Sequence, residues 1–206
     1  MHFLKTVVFA TIMTFIDFVK SQWANIPLPT TSFEGQTVIV TGSNVGLGRE
    51  AARHFGRLGA TKVILAVRSV PMGEAAAKSI HESIGKEGVC EVWRVDMGKW
   101  DSIKEFVKRT EQLDRLDVVV ENAGIAKTEF TQMEGIESTI AVNVVGTFLM
   151  ALKLPPILRE KAKKNETTPK LVIVGSGAHM SVSACCRPDI FEITEDPCIG
   201  EIRRAA

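Results

Sequence analysis

With 206 residues, the chain is long enough to bury one hydrophobic core, and a single main domain is the expected organisation. Its composition, 45% hydrophobic and 24% charged, is ordinary for a soluble globular protein. The 25 basic and 24 acidic residues leave a net charge of +1, which gives no reason to expect nucleic acid or an anionic membrane as the main partner.

The cysteines restrict the function class further. Cys90, Cys185, Cys186 and Cys198 form no CxxC pair and have no His-linked spacing, so a metal site is not expected. Free thiols fit a reducing compartment, and we therefore expect a cytoplasmic protein.

An apolar segment opens the chain. Residues 3–19 are interrupted by Lys5 and Asp17, and the unbroken stretch Thr6–Ile16 is shorter than the roughly 20 residues that a membrane-spanning helix needs. Lys5 alone is a poor basic region for a signal peptide. We expect residues 1–34 to form an apolar helix and a linker, with the helix docked on the domain or, at most, on a membrane surface.

The first predicted strand, Thr37–Val40, is a short apolar and β-branched run that is typical of a buried parallel strand. Thr41-Gly42 closes it, and Gly46 and Gly48 precede a helical pattern with one apolar face made of Leu47, Ala51, Phe55 and Leu58. Such glycines also occur in plain tight turns. Because a strand precedes them and a helix follows, the stretch predicts an anion site for a pyrophosphate at the helix N-terminus.

Strands and helices alternate along the rest of the chain. The pattern predicts strands at Lys62–Val67, Val89–Val95, Leu116–Val120 and Lys170–Val174. It predicts helices at 71–84 with Met72, Ala76, Ile80 and Ile84 on one face, at 100–112 with Ile103, Phe106 and Val107 inward, and at 133–160 with a break near Pro155-Pro156. This alternation predicts an α/β fold with a parallel, doubly wound sheet between two helical layers.

Polar or small residues close the predicted strands. Ligands of such sheets bind at the carboxyl ends of the strands, where strand order switches. The strand-closing residues are Thr41-Gly42, Arg68, Asp96, Asn122-Ala123-Gly124 and Ser176. We expect them to meet at one rim of the sheet.

Arg68 and Asp96 each have two interpretations. Arg68 stands where an NAD enzyme carries an acidic residue for the ribose hydroxyl, and no Asp or Glu occurs at 67–70. Its guanidinium suits a 2′-phosphate, although a plain surface arginine is the alternative. Asp96 is a candidate contact for the cofactor or simply an Asx turn after a strand, and the two are compatible.

Asn143 and Ser176 are candidate catalytic residues. Asn143 lies on the helix face predicted from Ile136, Ile140, Thr147 and Leu154, and a buried asparagine without partners costs roughly 1–3 kcal/mol. It is either a structural residue bonded to a neighbouring element or part of the site. Ser176 follows the last strand in VIVGSGAH, where a flexible turn is the alternative.

These motifs together resemble the short-chain dehydrogenase/reductase family. Thr41 to Gly48 matches its Thr-Gly-x-x-x-Gly-x-Gly turn, and Asn143-Val144-Val145-Gly146 matches its Asn-x-x-Gly. Glu121-Asn122-Ala123-Gly124 resembles its Asn-Asn-Ala-Gly with the first Asn replaced, and Ser176 matches the second Ser of its Ser-Ser pair. The chain is most similar to the retinol-dehydrogenase-like and fungal secondary-metabolism branch.

The resemblance implies a Rossmann fold and hydride transfer between NADP(H) and a small carbonyl or alcohol substrate. It implies that Ser176 bonds the substrate oxygen and that Asn143 holds a water in the proton relay. The cofactor-binding residues implied are Thr41, Gly42, Ser43, Asn44, Gly46, Leu47, Gly48, Arg68, Asp96, Asn122, Ala123 and Gly124.

One departure concerns the proton donor. The family uses Tyr-x-x-x-Lys after the serine, and this chain contains no tyrosine. The resemblance covers residues 35–191, which leaves 192–206 as a divergent tail and the fold incomplete at its C-terminal side. The alternative is therefore a catalytically inactive nucleotide-binding or regulatory protein. The homodimer usual in the family is doubtful for this chain.

Overall fold

A computed structural model describes residues 19–20, 23 and 27–176 of the chain. The chain divides into two compact units, Met1–Thr31 and Ser32–Ala206, and the fold that follows is that of the second unit. Nearly all of the predicted helix at 3–19, residues 177–191 of the predicted domain, and the predicted tail 192–206 lie outside the described residues.

The second unit is built on a parallel sheet. Its strands are β1 (Thr37–Thr41), β2 (Lys62–Val67), β3 (Cys90–Arg94), β4 (Val118–Glu121) and, after a short hairpin of β5 (Gln132–Met133) and β6 (Ile136–Glu137), β7 (Lys170–Ile173). The helices between them are α1 (Gly46–Arg57), α2 (Val70–Ile84), α3 (Trp100–Glu111) and α4 (Ser138–Asn165). The sheet order is β3-β2-β1-β4-β7, so the direction of winding switches between β1 and β4.

Alternation along the strands makes two hydrophobic layers. In β1, Val38 and Val40 belong to the cluster with Ala52, Ala76 and other residues of α1 and α2. Ile39 belongs to the cluster on the opposite face, with residues of α3 and α4. Successive strand side chains point to opposite faces, so each face receives a helical layer. The predicted three-layer α/β/α fold is confirmed for the described residues.

The inward face of α1 differs from the predicted one. Its buried residues are Gly48, Ala52 and Gly56, whereas Leu47 is 78% exposed. The helix is turned by one residue because small side chains on this face let it approach the neighbouring elements closely. A Cβ on Gly56 would lie 3.1 Å from the Cδ1 atom of Ile84 on α2.

The prediction for α2 is partly wrong for the same reason. Ala76 and Ile80 are buried as predicted, but Met72 is exposed and Gly73 takes the inward position. A Cβ on Gly73 would come within 2.6 Å of Val92, which leaves no room for a larger residue. In α3, the predicted inward residues Ile103, Phe106 and Val107 are buried.

The start of α4 is later than predicted. The hairpin occupies residues 132–137, because Glu134 and Gly135 adopt positive φ and reverse the chain. Glu137 then caps the helix, with its carboxylate accepting the backbone N–H groups of Thr139 and Ile140 at 2.8–2.9 Å.

The predicted break at Pro155-Pro156 is also wrong, since α4 continues through both prolines to Asn165. Ile157 and Leu158 beyond them are buried against the sheet, and this packing offsets the cost of the missing N–H groups.

Among the described residues, one helix, α4, is long and apolar enough to cross a membrane. Met150 and Leu154, however, are fully buried in the core under the sheet.

Candidate functional site

A cleft of about 410 Å³ opens at the carboxyl ends of the strands, next to the switch between β1 and β4. It brings together most of the strand-closing residues that the sequence predicts. The lining consists of Gly42, Asn44, Val45, Leu47, Gly48, Ala66, Arg68, Ser69, Met72, Val95, Asp96, Met97, Asn122, Ala123, Gly124, Ile125 and Val142.

The glycines of the β1–α1 turn serve different purposes. Gly42 has a φ of +66° and a Cβ there would lie 2.8 Å from the Cα of Ala123. A Cβ on Gly48 would collide with the Asn122 amide and lie 2.5 Å from the Gly42 carbonyl oxygen. Nothing lies within 4 Å of a Cβ added to Gly46, so space does not require a glycine there. Its φ of +58° does, because glycine adopts positive φ without steric cost.

The start of α1 suits an anion. Val45 precedes the helix and offers no side-chain cap, and the first turn carries no acidic residue. The first N–H groups of a helix have no intrahelical acceptor and carry a partial positive charge. This end of α1 borders the cleft, so a phosphate group there would meet backbone donors.

Thr41 and Ser43 lie behind the cleft rather than in its lining. Both are fully buried, and the Ser43 hydroxyl donates to the carbonyl oxygen of Val40 at 2.8 Å. The Thr41 Oγ1 accepts the backbone N–H groups of Asn122 and Ala123, each at 2.9 Å. Both side chains thus hold the turns, and the cofactor contact predicted for these two residues stays a prediction.

Asn122 completes the connection between the two turns. Its Nδ2 donates to the carbonyl oxygens of Thr41 at 3.0 Å and Gly42 at 3.4 Å. The turn Asn122–Gly124 is therefore fastened to the glycine turn. We call these three residues the floor of the cleft, which they line.

Arg68 extends from the end of β2 at the cleft margin, where it is exposed. No carboxylate within residues 27–176 forms an ion pair with its guanidinium. Ser69 and Met72 line the cleft beside it. This side of the cleft thus presents a positive charge that no described acid neutralises.

Asp96 forms the predicted Asx turn, and its predicted contact with the cofactor stays a prediction. Its Oδ1 accepts the N–H of Gly98 at 3.0 Å, which is an Asx turn, and its own N–H donates to Ser102 Oγ at 2.9 Å. It also lines the cleft. The turn fixes the carboxylate at the cleft.

Asn143 is exposed, and the prediction that it lies on the buried face of the helix is wrong. Residues Ala141–Gly146 form a π-helical segment, which shifts the face predicted from regular spacing and leaves Ile140 exposed. Gly146 packs against the Met97 carbonyl instead. Asn143 does not line the cleft, but its side chain binds the backbone of Ile125, which does.

Ser176 is the last described residue and lies beyond β7, at the same carboxyl edge. It is exposed, and it is not part of the cleft lining. Gly46 also lies outside the lining. The roles predicted for these residues stay predictions.

Glu121 is a residue whose burial sequence reasoning missed. It is 2% exposed, and neither carboxyl oxygen has a hydrogen-bond partner in the part of the chain that the structure describes. Burial raises its pKa from 4.5 to about 8. A signal was present, since Glu121 directly follows a buried strand pattern and replaces an asparagine of the family motif.

Other lining residues missed from the sequence are neighbours of predicted ones, such as Ser69 after Arg68 and Val142 before Asn143.

A second cavity of about 390 Å³ lies between α3 and α4 and is lined by Lys104, Lys108 and Lys153, among others. The described residues contain no group of three or more His, Cys, Asp or Glu placed to hold a metal ion.

The pattern of the short chain dehydrogenase family matches residues 36–184. Short chain dehydrogenase FGM9 of Gibberella zeae is 40% identical over 187 residues, which cover 89% of this chain and 55% of the relative. Short chain dehydrogenase atnD of Emericella nidulans is 44% identical over 79% of this chain and 52% of the relative. The chain therefore spans about half the length of these curated relatives.

Solved structures give the same likeness. A metagenomic short-chain oxidoreductase in complex with NADP has a TM-score of 0.59 and 29% identity, over 71% of this chain and 64% of that one. A short chain dehydrogenase from Escherichia coli CFT073 complexed with NADPH has a TM-score of 0.59 and 26% identity, over 77% and 64%.

Proposed function

This chain belongs to the short chain dehydrogenase family, and on that premise we propose that its cleft binds NADP(H). The protein then serves hydride transfer between NADP(H) and a small carbonyl or alcohol substrate. The observation that carries the choice of cofactor is Arg68, an exposed arginine without a carboxylate partner among the described residues, at the end of β2 beside the cleft.

Charge and shape support this choice. A guanidinium pairs with a phosphate through two parallel hydrogen bonds, while a ribose hydroxyl offers it little. The pyrophosphate is assigned to the uncapped start of α1, with Gly42 and Gly48 keeping the backbone clear of side chains. Asp96, which also lines the cleft, is the proposed adenine-side contact.

The cofactor, when bound, supplies the hydride that adds to the carbonyl carbon. The residues of this chain bind and orient. Asn122 and Thr41 hold the floor of the cleft, and Asn143 holds Ile125 at its edge. Ser176 is the proposed donor to the substrate oxygen.

We propose a role in secondary metabolism from the likeness to the fungal relatives, with a small carbonyl or alcohol as the substrate. We also propose a cytoplasmic location, at most peripheral contact with membranes, and weak self-association. The organisation into an N-terminal segment up to residue 34, a nucleotide-binding domain and a tail from residue 192 is part of the same proposal.

Cofactor binding is the sharper test, because the chain has no tyrosine to donate a proton and turnover depends on more than the cleft. NADPH and NADH are titrated by calorimetry against the wild type, Arg68→Ala, and the control Arg57→Ala, whose exposed arginine lies outside the cleft lining. We expect NADPH to bind at least about tenfold more tightly than NADH, and only Arg68→Ala to lose the preference. Equal affinities in the wild type, or an unchanged preference in Arg68→Ala, would contradict the proposal.

A further inference from the structure

Glu121 ends β4 at the carboxyl edge of the sheet. It shares a register position with Ile173 of β7, and only 2% of it is exposed. Val119, two residues earlier, belongs to the hydrophobic cluster on the α3 and α4 side. Because alternate strand residues share a face, the Glu121 side chain points to the same side.

Within residues 27–176, the strands and helices around this carboxyl offer it no charge to pair with. β1 carries no ionisable residue, and β7 carries only Lys170, which pairs with Val118 at the far end of β4. α4 has none from Ser138 to Leu152. The charged residues of α3 are all exposed on its outer side; they are Asp101, Lys104, Glu105, Lys108, Arg109 and Glu111.

Hydrogen bonds are equally lacking, since both side-chain oxygens are buried without a partner among the described residues. An isolated carboxylate in such a place is strongly unfavourable, and a carboxyl group there stays protonated. The side chain is therefore a neutral acid at neutral pH, held in the core by packing.

The backbone of Glu121 connects this group to the cleft. Its carbonyl oxygen accepts the N–H of Val174 at 2.9 Å, which fastens β4 to β7. The next two N–H groups, of Asn122 and Ala123, both donate to Thr41 Oγ1, and these residues form the floor of the cleft. A movement of Glu121 toward water would therefore pull on the floor itself.

We propose that Glu121 is a positioning residue that holds the Asn122–Gly124 floor only while its carboxyl is protonated. Loss of the proton to solvent leaves an unpaired carboxylate under α4, and its hydration displaces the end of β4. Dinucleotide affinity then falls at alkaline pH. This inference rests on the proposed cofactor site for its functional consequence, whereas the displacement of β4 is a property of the free protein.

The experiment follows the backbone amide resonances of Asn122, Ala123 and Val174 by NMR in the free protein, from about pH 6 to about pH 9.5. The wild type is compared with Glu121→Gln, which cannot ionise, and with Glu129→Gln, which removes an exposed carboxyl later in the chain. Glu121→Met, apolar and of similar length, is the second variant if the Gln variant does not fold. NADPH dissociation constants are measured on the same samples at both ends of the range.

We expect the three resonances to shift with a midpoint near pH 8 in the wild type and in Glu129→Gln, and to stay unchanged in the Glu121 variants. NADPH affinity should fall by about tenfold or more between the two ends in the wild type and by less than about threefold in Glu121→Gln. Resonances that do not titrate, or that titrate equally in Glu121→Gln, would overturn the inference. If the resonances titrate as expected but NADPH binds at no pH, the proposed cofactor fails while the displacement of β4 stands. If NADPH binds with the same pH profile in wild type and variant, the positioning role is overturned.

Discussion

Asn143 and Ile125 are joined by two hydrogen bonds of 2.8 Å, one in each direction. The Asn143 Oδ1 accepts the N–H of Ile125, and its Nδ2 donates to the Ile125 carbonyl oxygen. A side chain on the π-helical segment of α4 thus replaces a strand neighbour for the segment after β4. Because Ile125 lines the cleft, this pair fixes the cleft edge, and π-helical segments often occur at such places.

Replacing Asn143 with leucine should release Ile125 and weaken NADPH binding. Two lost hydrogen bonds correspond to about 1–2 kcal/mol, or roughly tenfold in affinity. The measurement is calorimetric titration of NADPH. Asn165→Leu is the matched control, since Asn165 also makes two hydrogen bonds but at the opposite end of α4. Equal weakening by both variants would show that the effect is not specific to the cleft edge.

Thr41→Val should destabilise the fold, although the two side chains have nearly the same shape. The change leaves the partly buried N–H groups of Asn122 and Ala123 without their acceptor, which costs about 1–3 kcal/mol in the free energy of unfolding. Thr41→Ser keeps the hydroxyl and should lose much less. Urea unfolding measures both, and a Val variant as stable as the Ser variant would contradict the assigned role of the hydroxyl.

Gly48→Ala should reduce both stability and NADPH binding. The added methyl group collides with the Asn122 amide and lies 2.5 Å from the Gly42 carbonyl oxygen, so α1 must move away from the cleft floor. We expect a loss of roughly 1–3 kcal/mol in unfolding free energy and at least about tenfold in affinity. Gly175→Ala makes the same chemical change where nothing lies within 4 Å. If Gly48→Ala binds as well as this control, the close approach has no functional meaning.

Glu121 should make the free energy of unfolding fall as the pH rises. Its pKa is raised from 4.5 to about 8 by burial, so between these values the folded protein retains a proton that the unfolded chain releases. The contribution of Glu121 to the free energy of unfolding is then fully present below about pH 4.5. It decreases by at most about 1.4 kcal/mol per pH unit as the pH rises, and it levels off above about pH 8.

Glu121→Gln removes this dependence and should be more stable than the wild type at about pH 8 but not at about pH 5. Urea unfolding at several pH values tests it, with Glu129→Gln as the exposed control. Parallel pH curves for the wild type and Glu121→Gln would be the contrary result.

The sheet and the position of the cleft were predictable because they depend on strong local patterns. Runs such as Thr37–Thr41 and Lys62–Val67 are apolar enough to be buried on both faces, and their closing residues must meet at one edge of a parallel sheet. Arg68 and Asp96 therefore reached the cleft margins as expected.

The helix faces were harder to predict because small residues decide them. Gly48 and Gly73 face the sheet where hydrophobicity alone favours Leu47 and Met72, and only close packing explains the difference. The π-helical segment around Asn143 breaks the regular period and cannot be read from spacing. The strand pattern before Glu121 could have indicated its burial, but its lack of a charge partner among the described residues depends on elements such as β1 and β7, which are distant in sequence.

The most direct test of the proposed dinucleotide site is a titration of the ¹⁵N-labelled protein with NADPH, followed by the backbone amide resonances. We predict that the largest shift changes cluster at Gly42, Gly48, Arg68 and the Asn122–Gly124 floor, and that residues of the α3–α4 cavity such as Lys108 and Lys153 stay unchanged. Shift changes confined to the α3–α4 cavity, or none at all in the folded protein, would contradict the account.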